Sequence, residues 1–468
     1  MHAGQTSIDF TSVQLDYCTR CNVTNFKGLA DQVQTDITSG RLRPGDRLPT
    51  QREFAERRAI AMSTATRVYA ELVRRGLVVG EVGRGTFVRT GPPTEGFALA
   101  QGIGGRINLA TNVPLLPRQA AMLTTSAASM TRRSSVIGAA METVVAGGSP
   151  AARQAVASFT ARGAWRPDPE RLCFTGNGRQ ALAATLAALV PAGQRLGVEA
   201  LSYQSVTGIA ARLGVEVVAL PMDGHGLRID GVIAAHRSSP LRAIYVQPTL
   251  HNPLGITMPV GRRQELVRAL RAQNVIAIED GVYAFLVEDP APLASLAPDH
   301  VVMIDSLSKR VAPGLTLGWT VAPPHLVPAL AEAIRASALV PSGLALALSV
   351  RWISDGTVAR LVKEKRRDAA ARQRLLRKAC PDVTIRADPR SYHAWFELPA
   401  AWRAESFTAA AAERGIAVAP ATAFAAGAGY APNAVRVALA SPPHKVLVES
   451  LRVLNALARS TPKPLSLE

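Results

Sequence analysis

Cysteine is scarce in this chain. Its 468 residues include four, at positions 18, 21, 173 and 380, too few for a disulfide framework. Cys18 and Cys21 form a lone C-x-x-C. No second pair completes a zinc site, so no metal is expected. Long apolar runs are missing as well: no stretch approaches the roughly 20 residues that a membrane helix needs. The opening MHAGQTSIDF lacks the charged-then-apolar pattern of a signal peptide. These absences predict a cytoplasmic chain with no membrane partner. Acidic residues are also outnumbered, 35 against 53 Lys and Arg, for a net charge of +18. Such an excess suits a polyanionic partner.

What is present divides the chain. Its length predicts two or three domains, and 48% apolar residues are enough for a sizeable core. Residues 1–21 show no periodicity and read as a flexible arm. Residues 22–89 carry helical periodicity and end in a short β pattern. Residues 90–106, TGPPTEGFALAQGIGGR, are rich in Gly and Pro and read as a linker. From 107 to 462 short apolar runs alternate with helical stretches: LGVEA, EVVAL, AIYVQP, VIAIED and VVMIDS are the strands of a mainly parallel α/β sheet. From about 375 a smaller α+β piece follows, with strands near Thr384–Ile385, Ala394–Leu398 and Val435–Leu439. No internal repeat is visible.

The segment from Phe26 predicts a first helix over Phe26–Thr38, with Leu29, Val33 and Ile37 on one face. Thr50 is the N-cap of a second, Gln51–Arg57. Ser63 or Thr64 starts a third that runs to about Arg75. Leu77–Gly80 and Thr86–Arg89 are two strands around the tip 81–85. Three helices and a hairpin make a winged helix, whose third helix lies in the major groove. The order RLPTQREFA…YAEL…RGL…GRGTFV resembles the GntR superfamily over about seventy residues. That resemblance implies double-stranded DNA as partner, with Arg52, Thr64 and Thr66 approaching it and Arg84 and Gly85 touching backbone or minor groove. Met62 stands where the family often has arginine.

Five segments of the large part carry chemistry. In Asp305-Ser306-Leu307-Ser308-Lys309, a lysine after a strand end suits a Schiff base to an aldehyde, and the hydroxyls of Ser306 and Ser308 suit a phosphate. In VIAIEDGVY, Asp280 arrives at a strand end where it can pair with a pyridinium nitrogen, or merely cap a helix; Tyr283 can bond a phenolic oxygen. Asn252, in QPTLHNPLG, offers its amide to the same oxygen. Thr175-Gly176-Asn177-Gly178-Arg179-Gln180 opens a helix, Gln180–Leu189, whose N-terminus is a phosphate site, and Tyr203 can stack on a ring. In NAVRV, Arg436 can grip a carboxylate bidentately, or simply be an ion-paired strand arginine.

In chain order (the glycine loop at 175–180, Tyr203, Asn252, Asp280 with Tyr283, Lys309, Arg436) the segments resemble fold-type I aminotransferases over residues 107–460. A GntR module, a linker and this domain in series resemble the MocR subfamily. The resemblance implies a multidomain fold: an N-terminal winged helix-turn-helix, an α/β fold-type I PLP-dependent transferase-like domain, and a small C-terminal α+β subdomain. It implies pyridoxal 5′-phosphate (PLP) as cofactor, an amino-acid or amine effector, and a homodimer. It also implies roles: Lys309, Asp280, Tyr283, Asn252, Tyr203, Gly178, Arg179, Ser306 and Ser308 for the cofactor, Arg436 for the effector. There are departures. Thr316 replaces the usual phosphate-binding arginine of A-P-G-x-R-x-G, and Gly178 stands where a serine is usual. Leu254 replaces a common threonine, and the tyrosine expected shortly before Gly148 is missing. Arg310 and Arg179 are candidates to restore the phosphate charge. The leading expectation is a regulator that senses through PLP, with transamination weak or absent. The alternatives are a working aminotransferase with a DNA-binding tether and a regulator whose domain has lost PLP.

Overall fold

The computed structural model describes residues 26–39, 41–42, 46–81, 85–88, 107–131, 137–138, 140–427 and 431–461. Helix α1 spans Phe26–Thr38 and buries Leu29, Ala30 and Val33. Helix α2, Gln51–Arg58, starts at a capping box: Glu53 N donates to Thr50 Oγ1 at 3.2 Å, and Thr50 N donates to Glu53 Oε2 at 2.7 Å. Helix α3 spans Met62–Arg74. It starts before Ser63 and Thr64, because extended Ala61 already offers its carbonyl to the Thr64 and Ala65 amides. Its end is a Schellman motif: Gly76, at φ 68°, donates to Val73 O and Leu77 N donates to Leu72 O. Leu77 therefore closes the helix, and strand β1 is Val78–Glu81, one residue later than expected. It pairs antiparallel with β2, Gly85–Val88. Val78 and Val88 join Leu29, Val33, Phe54, Val68 and Leu72 in one core. Residues 82–84 of the tip, with the expected Arg84 contact, lie outside the described residues, as do Cys18 and Cys21; Gly85 opens β2, opposite Glu81.

On the opposite face of the hairpin, the cross-strand pair Val79 and Phe87 is also buried, away from that core. Arg403, at the start of a helix in the small subdomain, lies over the Phe87 ring with Cζ 3.5 Å from its centroid.

In the large part, β3 (Ile107–Asn108) comes first. A seven-stranded sheet follows, built from β4 (Leu172–Thr175), β5 (Arg195–Glu199), β6 (Glu216–Leu220), β9 (Leu241–Val246), β10 (Ile276–Asp280), β11 (Val301–Ser306) and β12 (Gly318–Val321). The hairpin β7 (Met222–Asp223) and β8 (Gly226–Leu227) stands apart. The sheet order is β4-β12-β11-β10-β9-β5-β6. All neighbouring pairs are parallel except those of β12, which runs antiparallel to β11 and β4. Apart from the edge strand β6, the apolar strands are buried on both faces. Ile244 and Val246 pack in one core with Leu266 and Val267; Ala243, Tyr245 and Ile278 pack in the other with Leu182 and Leu186.

The 23-residue helix Thr357–Ala379 leads to the small subdomain. There β13 (Thr384–Arg386), β14 (His393–Glu397), β17 (Ala434–Ala438) and β16 (Ala419–Pro420) form an antiparallel sheet, while β15 (Ile416–Ala417) pairs with β3. Two of these strands start one residue before their expected positions. Among the described residues no helix is long and apolar enough to cross a membrane.

Candidate functional site

The parallel strands deliver their C-terminal ends to one edge of the sheet, where α/β folds bind ligands. Asp280 ends β10 and is buried. Its Oδ2 accepts from Tyr245 Oη at 2.6 Å and Gln247 Nε2 at 3.1 Å; its Oδ1 accepts from Val282 N at 3.0 Å. Burial pushes its pKa up, against the pull of these donors.

Lys309 follows β11. Its Nζ donates to Asn112 O. Burial lowers its pKa to about 8, helped by the charges of Arg436 and Arg179 and opposed by Asp280. Asn112 Nδ2 in turn donates to Tyr283 Oη at 3.4 Å, and Tyr283 lies against the His393 ring at 5.3 Å between centroids. Burial holds His393 at a pKa of about 3, so its imidazole is neutral. Tyr203 opens the helix Gln204–Arg212, with Arg179, Asp280 and Arg436 as its charged neighbours.

Arg436, on β17, is buried. Its Nη1 donates to Asn252 Oδ1 at 3.1 Å, its Nη2 donates to Ala110 O, and its guanidinium lies 5.0 Å from the Phe424 centroid. Arg436 Nε and Asn112 Oδ1 are buried polar atoms with no hydrogen-bond partner among the described residues.

Three hydroxyls form a second cluster. Ser306 Oγ donates to Ser308 Oγ at 3.1 Å, and Ser308 Oγ lies 2.9 Å from Thr316 Oγ1. The helix Gly178–Leu189, capped by Asn177, begins here. A Cβ on Gly178 would meet Ser306 Oγ at 3.1 Å. Glycine at this position therefore leaves room for the serine hydroxyl opposite. Arg179 is exposed, yet its charge reaches both Lys309 and Tyr203.

Arg310 corrects an expectation. It turns away from the hydroxyl cluster and is buried with Asp305, Nη2 to Oδ2 at 2.7 Å. Phe159, Phe285 and Trp319 surround it at 5.5, 5.1 and 5.8 Å. It adds no charge to a phosphate site.

The structure thus brings Lys309, Asp280, Tyr203, Tyr283, Asn252 and Arg436 together, with Ser306, Ser308 and Gly178 as a neighbouring cup. These groups fit the cofactor named above: a carboxylate for a ring nitrogen, hydroxyl and amide groups for the ring oxygen, an amine for the aldehyde, and a hydroxyl-lined helix N-terminus for the phosphate. Sequence reasoning missed Asn112, Tyr245 and Lys365. Tyr245 gave one signal: a tyrosine inside an apolar strand needs a partner for its hydroxyl.

In the winged helix, Arg52 projects from α2 with its side chain 84% exposed, 3.1 Å from Glu56. Thr66 Oγ1 donates to Gln51 Oε1 at 2.9 Å, and Thr64 is half-buried in the first turn of α3.

Residues 105–454 match the family model "Aminotransferase class I and II", and residues 26–88 match "Bacterial regulatory proteins, gntR family". The HTH-type transcriptional regulator YdeF of Bacillus subtilis is 28% identical over 442 residues, 93% of this chain and 94% of its own. The HTH-type transcriptional regulator TauR of Rhodobacter capsulatus is 26% identical over 470 residues, covering 92% and 96%. Among solved structures, the kynurenine aminotransferase of Pyrococcus horikoshii superposes with a TM-score of 0.71 at 19% identity, covering 79% of this chain and 95% of its own. That likeness is one of fold.

Proposed function

The chain belongs to the aminotransferase class I and II family and bears a gntR-family domain, the combination of MocR-type transcription regulators; on that premise we propose that it senses an amino acid or amine through PLP held at Lys309, and answers by changing its affinity for operator DNA. The observation that carries this reading is the convergence of Lys309, Asp280, Tyr203, Tyr283 and Arg436 in one charged neighbourhood. Residues 22–89 form the DNA-binding unit, 90–106 the linker and 107–462 the effector domain. The protein works as a cytoplasmic homodimer.

Bound there, PLP supplies an aldehyde that combines covalently with primary amines. The chain's own residues make that useful. Burial lowers the Lys309 pKa to about 8 and so raises the share of unprotonated amine, which is the nucleophile. Asp280, its direction fixed by Tyr245 and Gln247, would be the partner of the ring nitrogen. Asn252 and Tyr283 would bond the ring oxygen, and Tyr203 would stack on the ring. Ser306, Ser308, Thr316 and the helix N-terminus would take the phosphate, with Arg179 adding charge from the exposed side.

Hydroxyls hold a phosphate less rigidly than a bidentate guanidinium does. A hydrogen bond to a charged group is worth about 1.5–3 kcal/mol, and Thr316 supplies one fewer charge-assisted donor than an arginine in its place. That favours sensing over turnover.

Borohydride reduction of the PLP-saturated protein, followed by peptide mapping, tests the reading. A single modified residue, Lys309, is expected. Operator affinity should respond to amino acids only in the loaded wild type and not in K309A. Modification of another lysine, or of none, rejects the proposal.

The DNA contact has its own prediction. The Arg52–Glu56 pair is solvent-exposed and so worth well under about 1 kcal/mol. Arg52 is thus free to trade its carboxylate for a phosphate. R52A should lower the slope of log K against log salt by about one and leave PLP absorbance unchanged. An operator titration across salt concentrations with the wild-type slope would remove Arg52 from the interface.

A further inference from the structure

Lys365 lies in the middle of the helix Thr357–Ala379 and is completely buried. Its Nζ donates to two backbone carbonyls, Lys309 O at 3.1 Å and Val311 O at 2.8 Å. No ion pair to Lys365 is found among the described residues. A buried, unpaired ammonium is costly, and a methionine would fill the same space at no such cost. Burial accordingly lowers the Lys365 pKa to about 7, with the charge of Lys309 adding to the shift. A neutral amine has two N–H donors, and two carbonyls receive them.

Those carbonyls belong to the turn that carries Lys309. Val311 N closes it by donating to Leu307 O at 2.6 Å, and Gln119 Nε2 reaches Val311 O at 2.9 Å. The helix that supplies Lys365 is tied in turn to the small subdomain. Tyr392 Oη donates to Lys365 O at 2.9 Å, and Gln373 Nε2 donates to Ser391 O at 2.8 Å and His393 O at 3.1 Å. Tyr392 directly precedes β14, where Trp395 is the cross-strand partner of Arg436 on β17.

We infer that Lys365 is a positioning residue for Lys309: its amine grips the backbone behind the cofactor lysine and anchors that backbone to the helix that Tyr392 ties to the small subdomain. This rests on the reading that Lys309 takes PLP. A packing role alone would not need an amine, and an apolar side chain here would take the donor from Lys309 O and leave Val311 O with Gln119 alone.

The test uses the full chain. K365M keeps the volume and removes both donors. Its dissociation constant for PLP should rise about tenfold or more, since two hydrogen bonds that orient Lys309 are gone. The pH midpoint of the bound-cofactor absorbance should also rise, because the charge that Lys365 takes up as pH falls through about 7 has been removed. K365R, which keeps donors and charge, should recover most of the affinity. Thermal unfolding of the ligand-free variants reports on simple damage to the fold. If K365M does not fold, K365Q decides: its amide is one bond shorter and reaches at most one carbonyl, so an intermediate loss is expected. Wild-type affinity and midpoint in a folded K365M or K365Q would overturn the inference. A wild-type protein in which borohydride labels a residue other than Lys309 would instead reject the reading beneath it.

Discussion

R436M should abolish the response to amino-acid effectors while leaving operator affinity in their absence unchanged. Arg436 is buried on β17, and its Nε has no hydrogen-bond partner among the described residues. A carboxylate received there gains charge-assisted hydrogen bonds in a site shielded from water, each worth about 1.5–3 kcal/mol. Losing two of them costs at least about 3 kcal/mol, more than a hundredfold in affinity. Spectral titration of the PLP-loaded protein measures this directly. A primary amine without a carboxylate is the control, because it engages only the lysine end of the site and should bind wild type and R436M alike. Equal loss for both ligands would mean that the substitution disturbed Asn252 and Ala110 rather than removed a carboxylate contact. An unaltered response to amino acids would remove Arg436 from the effector site.

R310M should be the most destabilising of these substitutions. Arg310 and Asp305 are a buried, bidentate pair inside a box of Phe159, Phe285 and Trp319. Removing one partner of such a pair costs about 3–5 kcal/mol, because the other charge stays buried without compensation. The aromatic faces lose their cation as well. Burial already pushes the Asp305 pKa up, and Arg310 opposes that push. In R310M the push goes unopposed. A carboxylate whose pKa is higher folded than unfolded stabilises the fold below the unfolded value and loses that contribution as pH rises through the folded one. The variant should therefore be closer to wild type at pH 5 than at pH 8. Urea unfolding of the ligand-free protein at both pH values checks this. Equal penalties at the two would show that Asp305 is not the group left uncompensated.

Much of the winged helix is legible in the sequence because its signals are local. Thr50 with Glu53 announces a capping box within four residues, and the apolar faces of α1 and α3 repeat with helical period. The end of α3 is harder to read, since Leu77 looks like the first strand residue and is instead the hydrogen-bonded close of the Schellman motif. In the large part, the strands that end in Asp280 and Ser306 stand out as apolar runs delivering polar groups. Strand β12 escapes notice because its four residues follow the Lys309 turn without a strand-like flank. Arg310 is the instructive error. Its place beside Lys309 suggests a phosphate partner, but the side chain answers to Asp305, five residues back, and to rings contributed by distant segments. Asn112 is silent for a similar reason: it meets Lys309 across 197 positions of sequence. Lys365 is one more lysine in a basic helix until the fold buries it.

The seat of Phe87 under Arg403 changes what the stretch between the two halves has to do. A slack cord joins two bodies but transmits no push. A flat cation on an aromatic face does, and here it grips the hairpin from the side away from its own core. Arg403 opens the helix Ala404–Glu413, which packs against the same small sheet that carries Arg436. A shift of that sheet thus has a short mechanical path to the wing: strand, helix, guanidinium, ring. An effector that moved the small sheet would then reach the wing by touch.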